Sequence, residues 1–248
     1  MKMKKQKMNQ DSLPVSRGVT RRHFVKITGI AVVGVSSFGL RDFYAKGVSV
    51  IIDSGDRIAK SQPSLWAIKE LERSLTSKGI EVYRCDQIAQ AKEGDLCIFI
   101  GGSASSIVQK TLKASKIEFP DSPEALGLIP CKISGKPVLI ACGFDERGLV
   151  YALLELADRV NNSSQPLVSI DLEKPVVERP ANTIRSLNRL FVSDIEDKPW
   201  YNDKEMWPQY LTMLATNRFN RFNLSLGIGY DFLQNVTDGY FLLAYPFF

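Results

Sequence analysis

The chain has 248 residues, 44% apolar and 24% charged, enough for one large or two small globular domains with buried cores. Its formal charge of +5 is unevenly placed: residues 1–46 hold ten Lys/Arg and two Asp/Glu, and the remainder 22 against 25. The basic balance therefore belongs to the leader, and nucleic-acid binding by the folded part is not expected. The only histidine, His23, also lies in the leader, so a chain that loses it can build no Ser-His-Asp triad, Cys-His pair or histidine metal site.

Residues 1–19 are Lys-rich, polar and without hydrophobic period, which predicts disorder. Thr20-Arg21-Arg22-His23-Phe24-Val25-Lys26 then precedes about 14 mildly apolar residues, Ile27 to Leu40. A basic region ahead of so short and weak an apolar run suits a cleavable export signal; no stable membrane span is expected. The paired arginines resemble a twin-arginine (Tat) signal, Ser/Thr-Arg-Arg-x-Phe-Leu-Lys, with Val25 in place of leucine. Arg21, Arg22, Phe24 and Lys26 carry that resemblance, which implies the Tat translocase as a partner and a periplasmic or extracellular destination. Ser37 and Gly39 form a weak small-x-small cleavage site, and an uncleaved anchor is the alternative.

From Gly47 the pattern is α/β. Val48–Ile52 reads as a strand, and Leu65, Ile68, Leu71 and Leu75 share one helical face closed by Lys78-Gly79. Ile80–Cys85 alternates as a second strand, and Leu96–Ile100 is a buried third. Gly101-Gly102-Ser103 leads into a helix around residues 107–112. The pair of runs 128–133 and 138–142 flanks Ser134-Gly135-Lys136-Pro137 as a hairpin. Five apolar residues, Val138 to Cys142, turn through Gly143–Gly148 into a helix with Leu149, Leu153, Leu156 and Val160 on one face. Leu167–Leu172 reads as the last strand. This order predicts a small mixed-sheet α/β sandwich over 47–173. The Gly-Gly-Ser turn has neither GxGxxG nor GxxxxGK[ST] around it, so tight-turn glycines are favoured over a phosphate cradle. The four cysteines, Cys85, Cys97, Cys131 and Cys142, show no CxxC spacing and read as buried thiols.

Residues 174–182, with Pro175 and Pro180, read as a linker. Beyond it, 183–192 is a strand, 193–203 a loop, 205–217 a helix and 219–226 a strand, which is a β-α-β crossover of a parallel sheet. The chain closes on Phe241-Leu242-Leu243-Ala244-Tyr245-Pro246-Phe247-Phe248, an apolar run that reads as an interior piece of a longer fold. The expected organisation is a leader (1–46), an α/β domain (47–173), a linker (174–182) and the start of a (β/α)8 barrel (183–248).

Gly143-Phe144-Asp145-Glu146-Arg147-Gly148-Leu149-Val150-Tyr151-Ala152-Leu153-Leu154-Glu155-Leu156, the Arg179-Pro180 connector and Arg185 on the next strand together resemble multidomain glycoside hydrolases of the β-hexosaminidase and α-glucuronidase types. There a strand is followed by a Gly-x-x-x-x-Gly-x-x-Tyr-Gly-Leu helix; Ala152 stands where glycine is usual. The resemblance implies a non-catalytic α/β domain ahead of a (β/α)8 catalytic barrel, a carbohydrate substrate and no cofactor. It also implies that an arginine of the first barrel strand, here Arg185, binds hydroxyls of the sugar. Leu190 and Ser193 replace the aspartate and second arginine of the hexosaminidase pattern.

Glycoside hydrolysis needs two carboxylates about 5–9.5 Å apart. The loops after the two barrel strands offer Asp194, Glu196, Asp197 and Asp231, which read as solvated loop charges. The resemblance places the catalytic pair on later strands, so no catalytic residue is assigned. Arg185 and Arg189 are four apart on one strand and share a face. With Asn188 and Trp200 they are the candidate substrate-binding residues, the alternatives being an ion-pair layer for the arginines and aromatic core for Trp200, Tyr201 and Trp207. The sequence reading is thus the N-terminal part of an exported glycoside hydrolase. A self-standing periplasmic carbohydrate-binding or interaction module is the alternative, and a nucleotide-binding enzyme using the Gly101-Gly102 turn is a third.

Overall fold

The structure is a computed structural model that describes residues 45–191 and 195–226. The leader with Arg21, Arg22, Phe24 and Lys26, the loop acid Asp194, Asp231 and the terminal apolar run lie outside the described residues. No described helix is long and apolar enough to cross a membrane.

The chain is an α/β protein. Strands β1 (Gly47–Ile52), β2 (Glu81–Cys85), β3 (Leu96–Gly102), β4 (Leu126–Ile133), β5 (Lys136–Gly143) and β6 (Val176–Glu178) form one sheet in the order β2-β1-β3-β5-β4-β6. The first four in that order run parallel, whereas β4 is antiparallel to both β5 and β6. β1 and β3 are buried along their whole length, which is why they read as unbroken apolar runs rather than alternations. One face of the sheet packs on α2 (Ser106–Ala114): Ile51, Phe99, Ile129 and Ile140 meet Val108 there, and all four cysteines join this cluster. Cys85, Cys97 and Cys142 are buried free thiols and Cys131 is half-buried. Burial pushes the Cys142 thiol up to about 12. Helices α1 (Gln62–Ser77) and α3 (Glu146–Asn161) pack on each other, and α3 packs on β5. Strand alternation therefore turns Val48, Val50, Ile98 and Ile100 toward them.

Local chemistry sets the boundaries of these elements. Ser61 caps α1 by accepting from the Ser64 amide, and Gly79 ends it at φ +75°. There the Ile80 and Gly79 amides donate to the carbonyls of Leu75 and Thr76, a Schellman closure. The predicted hairpin is present, with Ser134 and Gly135 both at positive φ as a two-residue type I′ turn requires. In the motif that opens α3, Asp145 accepts from the Gly148 amide at 2.8 Å. A Cβ on Gly143 would stand 2.0 Å from the Leu149 nitrogen, and one on Gly148 2.1 Å from the Ala125 carbonyl oxygen. Both glycines are therefore fixed by close backbone approach rather than by turn conformation.

Two sequence expectations are corrected. Residues 166–170 form a short helix, α4 (Pro166–Ile170), not a strand. Ser169 Oγ donates to the carbonyls of Pro166 and Arg159, which closes the turn, and of the apolar pair only Ile170 is buried while Val168 is 63% exposed. The sixth strand comes instead from the segment read as linker, where Val176–Glu178 pairs with Leu126–Leu128.

The remaining elements are β7 (Ser186–Phe191), α5 (Lys198–Tyr201), α6 (Met206–Thr216) and β8 (Arg221–Leu226). β7 and β8 are parallel with Asn188 opposite Asn223, so the predicted β-α-β unit is present, with one added turn of helix in its loop.

Candidate functional site

The two faces of the β7–β8 pair differ in chemistry. Arg189, Phe191 and Phe222 face the helices. Phe191 makes edge contacts with Trp200 and Tyr201, and Phe222 with Trp207 and Tyr210. The Arg189 guanidinium lies 3.9 Å from the centre of the Trp200 ring and 5.3 Å from that of Tyr210. Trp200 is held in turn by donation from its Nε1 to Asp197 at 2.7 Å, and Trp207 by donation to the Tyr201 carbonyl at 2.8 Å. These rings form an aromatic layer between helix and sheet, with Arg189 stacked into it. The opposite face carries Ser186, Asn188, Arg221, Asn223 and Ser225, with Leu190 49% exposed at its end. Ser225 Oγ donates to Asn188 Oδ1 at 2.8 Å across the strands.

The expected common side of Arg185 and Arg189 is therefore the helix side, and of the four candidate residues Asn188 alone faces the open side. Arg185 sits just ahead of β7 and is engaged within the chain. Its Nε donates to the Arg218 carbonyl (2.6 Å) and its Nη1 to the Asn182 carbonyl (2.7 Å). Its Nη2 donates to Glu124 and reaches the Tyr151 hydroxyl at 3.5 Å.

Glu124, which nothing in the sequence pattern singled out, is the centre of this arrangement. It is 6% exposed at φ +64°. It follows Pro123 in a turn closed by the Ala125 amide and the Ser122 carbonyl, where glycine is the usual occupant. Its amide donates to Asp145 Oδ2 (3.1 Å), and its carboxylate accepts from Arg147 (3.1 Å), Asn220 (2.9 Å) and Arg185. Burial alone would push this carboxyl up; the hydrogen bonds from Asn220, Arg185 and Arg147, with the charge of Arg185, bring it below its ordinary value. Tyr151 is raised, first by burial and then by the Glu124 charge. Arg147 of the motif and Arg185 thus meet on the Glu124 carboxylate, while Asp145 and Gly148 hold its backbone turn and Tyr151 stands beside Arg185.

A second node lies nearby. Arg218, at φ +62° in the position that ends α6, donates to Glu155 of α3 (2.9 Å) and to Glu178 of β6. Beside Arg147 and Asn220 of the first node, a groove of about 350 Å³ is lined by Trp66, Val150, Tyr151, Leu211, Phe219 and Phe222, among others.

The Gly101-Gly102 turn is occupied by the protein itself. Asp56 accepts from the Gly102 amide at 3.0 Å, Asp53 accepts from Ser105 Oγ at 2.5 Å, and a Cβ on Gly102 would meet Asp56 and Ile58 at 2.9 Å. An anion there would face two carboxylates that already fill the crevice. No group of three or more metal-ligating side chains occurs among the described residues.

No protein-family model matches the sequence, and no curated protein matches it. Among solved structures, one described as a GH138 enzyme targeting pectin rhamnogalacturonan II is similar at 23% identity and a TM-score of 0.48. The match covers 71% of this chain and 18% of that one. Another, described as CpGH84D, is similar at 16% identity and a TM-score of 0.35, over 53% of this chain and 19% of its own. The chain spans about a fifth of the length of these structures.

Because the folded-state carboxyl of Glu124 is held below its unfolded value, the stability it contributes is fully present above the ordinary carboxylate range. That contribution is lost as pH falls through the lowered folded value. Glu124→Gln is expected to cost about 2 kcal/mol at neutral pH, and the gap from wild type, followed by urea unfolding, should narrow steadily below about pH 4. A gap that does not change with pH would contradict the assignment.

Proposed function

We propose that this chain is the N-terminal region of an exported glycoside hydrolase: an α/β domain followed by the opening strands of a (β/α)8 barrel whose catalytic carboxylates lie on later strands. The observation that carries the reading is the two-sided chemistry of the β7–β8 pair. Parallel strands are ordinarily covered on both faces; here aromatic rings and α6 cover one, and the other presents Ser186, Asn188, Arg221, Asn223 and Ser225. A wall of that polarity is a hydrogen-bonding surface rather than an aliphatic core, and from the middle of the strands toward their C-terminal ends, where a barrel's mouth lies, it offers Asn188, Asn223 and Ser225 to a saccharide. The glycine-tyrosine motif over 143–156 and the arginine ahead of β7 support the same reading.

In this account Asn188 is turned toward the sugar. Arg189 and Trp200 form a stacked pair behind it, and Arg185 holds the strand in place from its N-terminal end. The reading is tested by the coding sequence beyond the Phe248 codon. It predicts further β-α units in frame, with two acidic residues at strand ends. A stop codon followed by an unrelated gene would instead favour a self-standing carbohydrate-binding or interaction module.

Export through the Tat translocase is part of the same proposal and rests on Thr20-Arg21-Arg22-His23-Phe24-Val25-Lys26. Replacing Arg21 and Arg22 together by lysine should leave most of the protein in the cytoplasmic fraction of expressing cells. Undiminished appearance outside the cytoplasm would remove the Tat route.

A further inference from the structure

We infer that the α/β domain serves as a template for the parallel sheet that follows it, with Glu124 as the clamp that brings the starts of β7 and β8 together. The residues immediately ahead of the two strands are Arg185 and Asn220, 35 positions apart in sequence, and both end on the same carboxylate. They are also tied to each other. The Arg185 amide donates to Asn220 Oδ1 at 2.9 Å, and the Asn220 and Arg221 amides donate to the Arg185 carbonyl at 3.0 and 3.3 Å. Asn220 Nδ2 divides its two protons between Glu124 and the Thr183 carbonyl. Ser186 and Arg221, the first pair of the β7–β8 ladder, follow directly.

The geometry makes register the quantity at stake. In a strand a one-residue slip moves every side chain to the other face. It would carry Asn188 into the aromatic layer and Arg189 out of it. A two-stranded ladder holds its register only weakly by itself, so contacts outside the pair bear on its alignment. Glu124 suits that task because its own position is over-determined: Pro123 precedes it, its amide is held by Asp145, and its carboxylate is buried beside Arg147. A non-glycine residue at positive φ persists only where the surroundings impose it. Arg218 repeats the pattern from the other side, at positive φ, with its guanidinium on Glu155 and Glu178 and its carbonyl accepting from Arg185. This role follows from the clamp geometry alone and does not require the hydrolase reading.

Amide hydrogen exchange read by mass spectrometry on the full chain tests it. Glu124→Ala should speed exchange about tenfold or more in peptides covering Ser186–Phe191 and Arg221–Leu226, while β1, β3 and β5 stay within about twofold of wild type. Asn220→Ala, which leaves the α/β domain untouched, should reproduce the localised effect. Leu211→Ala trims the packing of α6 in the groove beside α3 without touching the hydrogen bonds at the strand starts, and should leave β7 and β8 within about twofold. Unchanged exchange in Asn220→Ala would overturn the inference. So would an equal effect of Leu211→Ala, which would mean general docking, or loss of protection spread over all strands in Glu124→Ala.

Discussion

The carboxylate of Glu124 is the point at which the starts of β7 and β8 are tied to the six-stranded sheet. It is buried, held by a backbone conformation that its residue type disfavours, and shared among Arg147 from its own side and Arg185 and Asn220 from the other. A buried charge with one partner removed is strongly destabilising, and this one has two arginines and an amide upon it. The starts of both strands are therefore tied to one turn of the six-stranded sheet. The six-stranded sheet supplies the rigid side of the joint, because its core is buried on both faces and α3 is seated on the end of β5 through Gly143 and on Ala125, just ahead of β4, through Gly148.

From that joint the polar strand face follows. With Arg185 drawn down onto Glu124, alternation along β7 places Arg189 and Phe191 against Trp200 and Tyr201 and leaves Ser186 and Asn188 on the open side. β8 repeats the division, with Phe222 among the rings and Asn223 and Ser225 opposite Asn188 and Leu190. The polar wall is thus a consequence of register, and register is a consequence of the clamp. Asp53 and Asp56, meanwhile, close the crevice of the first sheet against anions. Among the described residues, the exposed polar strand face lies on the second sheet.

Much of this was legible in the sequence, for identifiable reasons. The change from a run of five apolar residues through the Gly143–Gly148 turn to helical spacing at 138–160 marks β5 and α3. Leu167–Leu172 misleads because four alternating residues fit a strand as well as a helical turn; only the hydroxyl of Ser169 on Arg159 and Pro166 decides it. β6 is hidden because a three-residue strand in a proline-rich segment gains its identity from a partner about fifty positions away. For Arg185 and Arg189 the four-residue spacing gives a shared side, but which side depends on where α6 lies. Glu124 was invisible for a different reason: positive φ leaves no mark on a Pro-Glu-Ala sequence, and its partners are 61 and 96 residues distant.

The central claim is that Glu124 and Asn220 act as a unit across the joint. A double-mutant cycle of Glu124→Ala and Asn220→Ala, read by denaturant unfolding at neutral pH, measures this directly. The account predicts a coupling of about 1–2 kcal/mol between the two positions. Costs that simply add, within about 0.5 kcal/mol, would show that the two sheets are held together by something else.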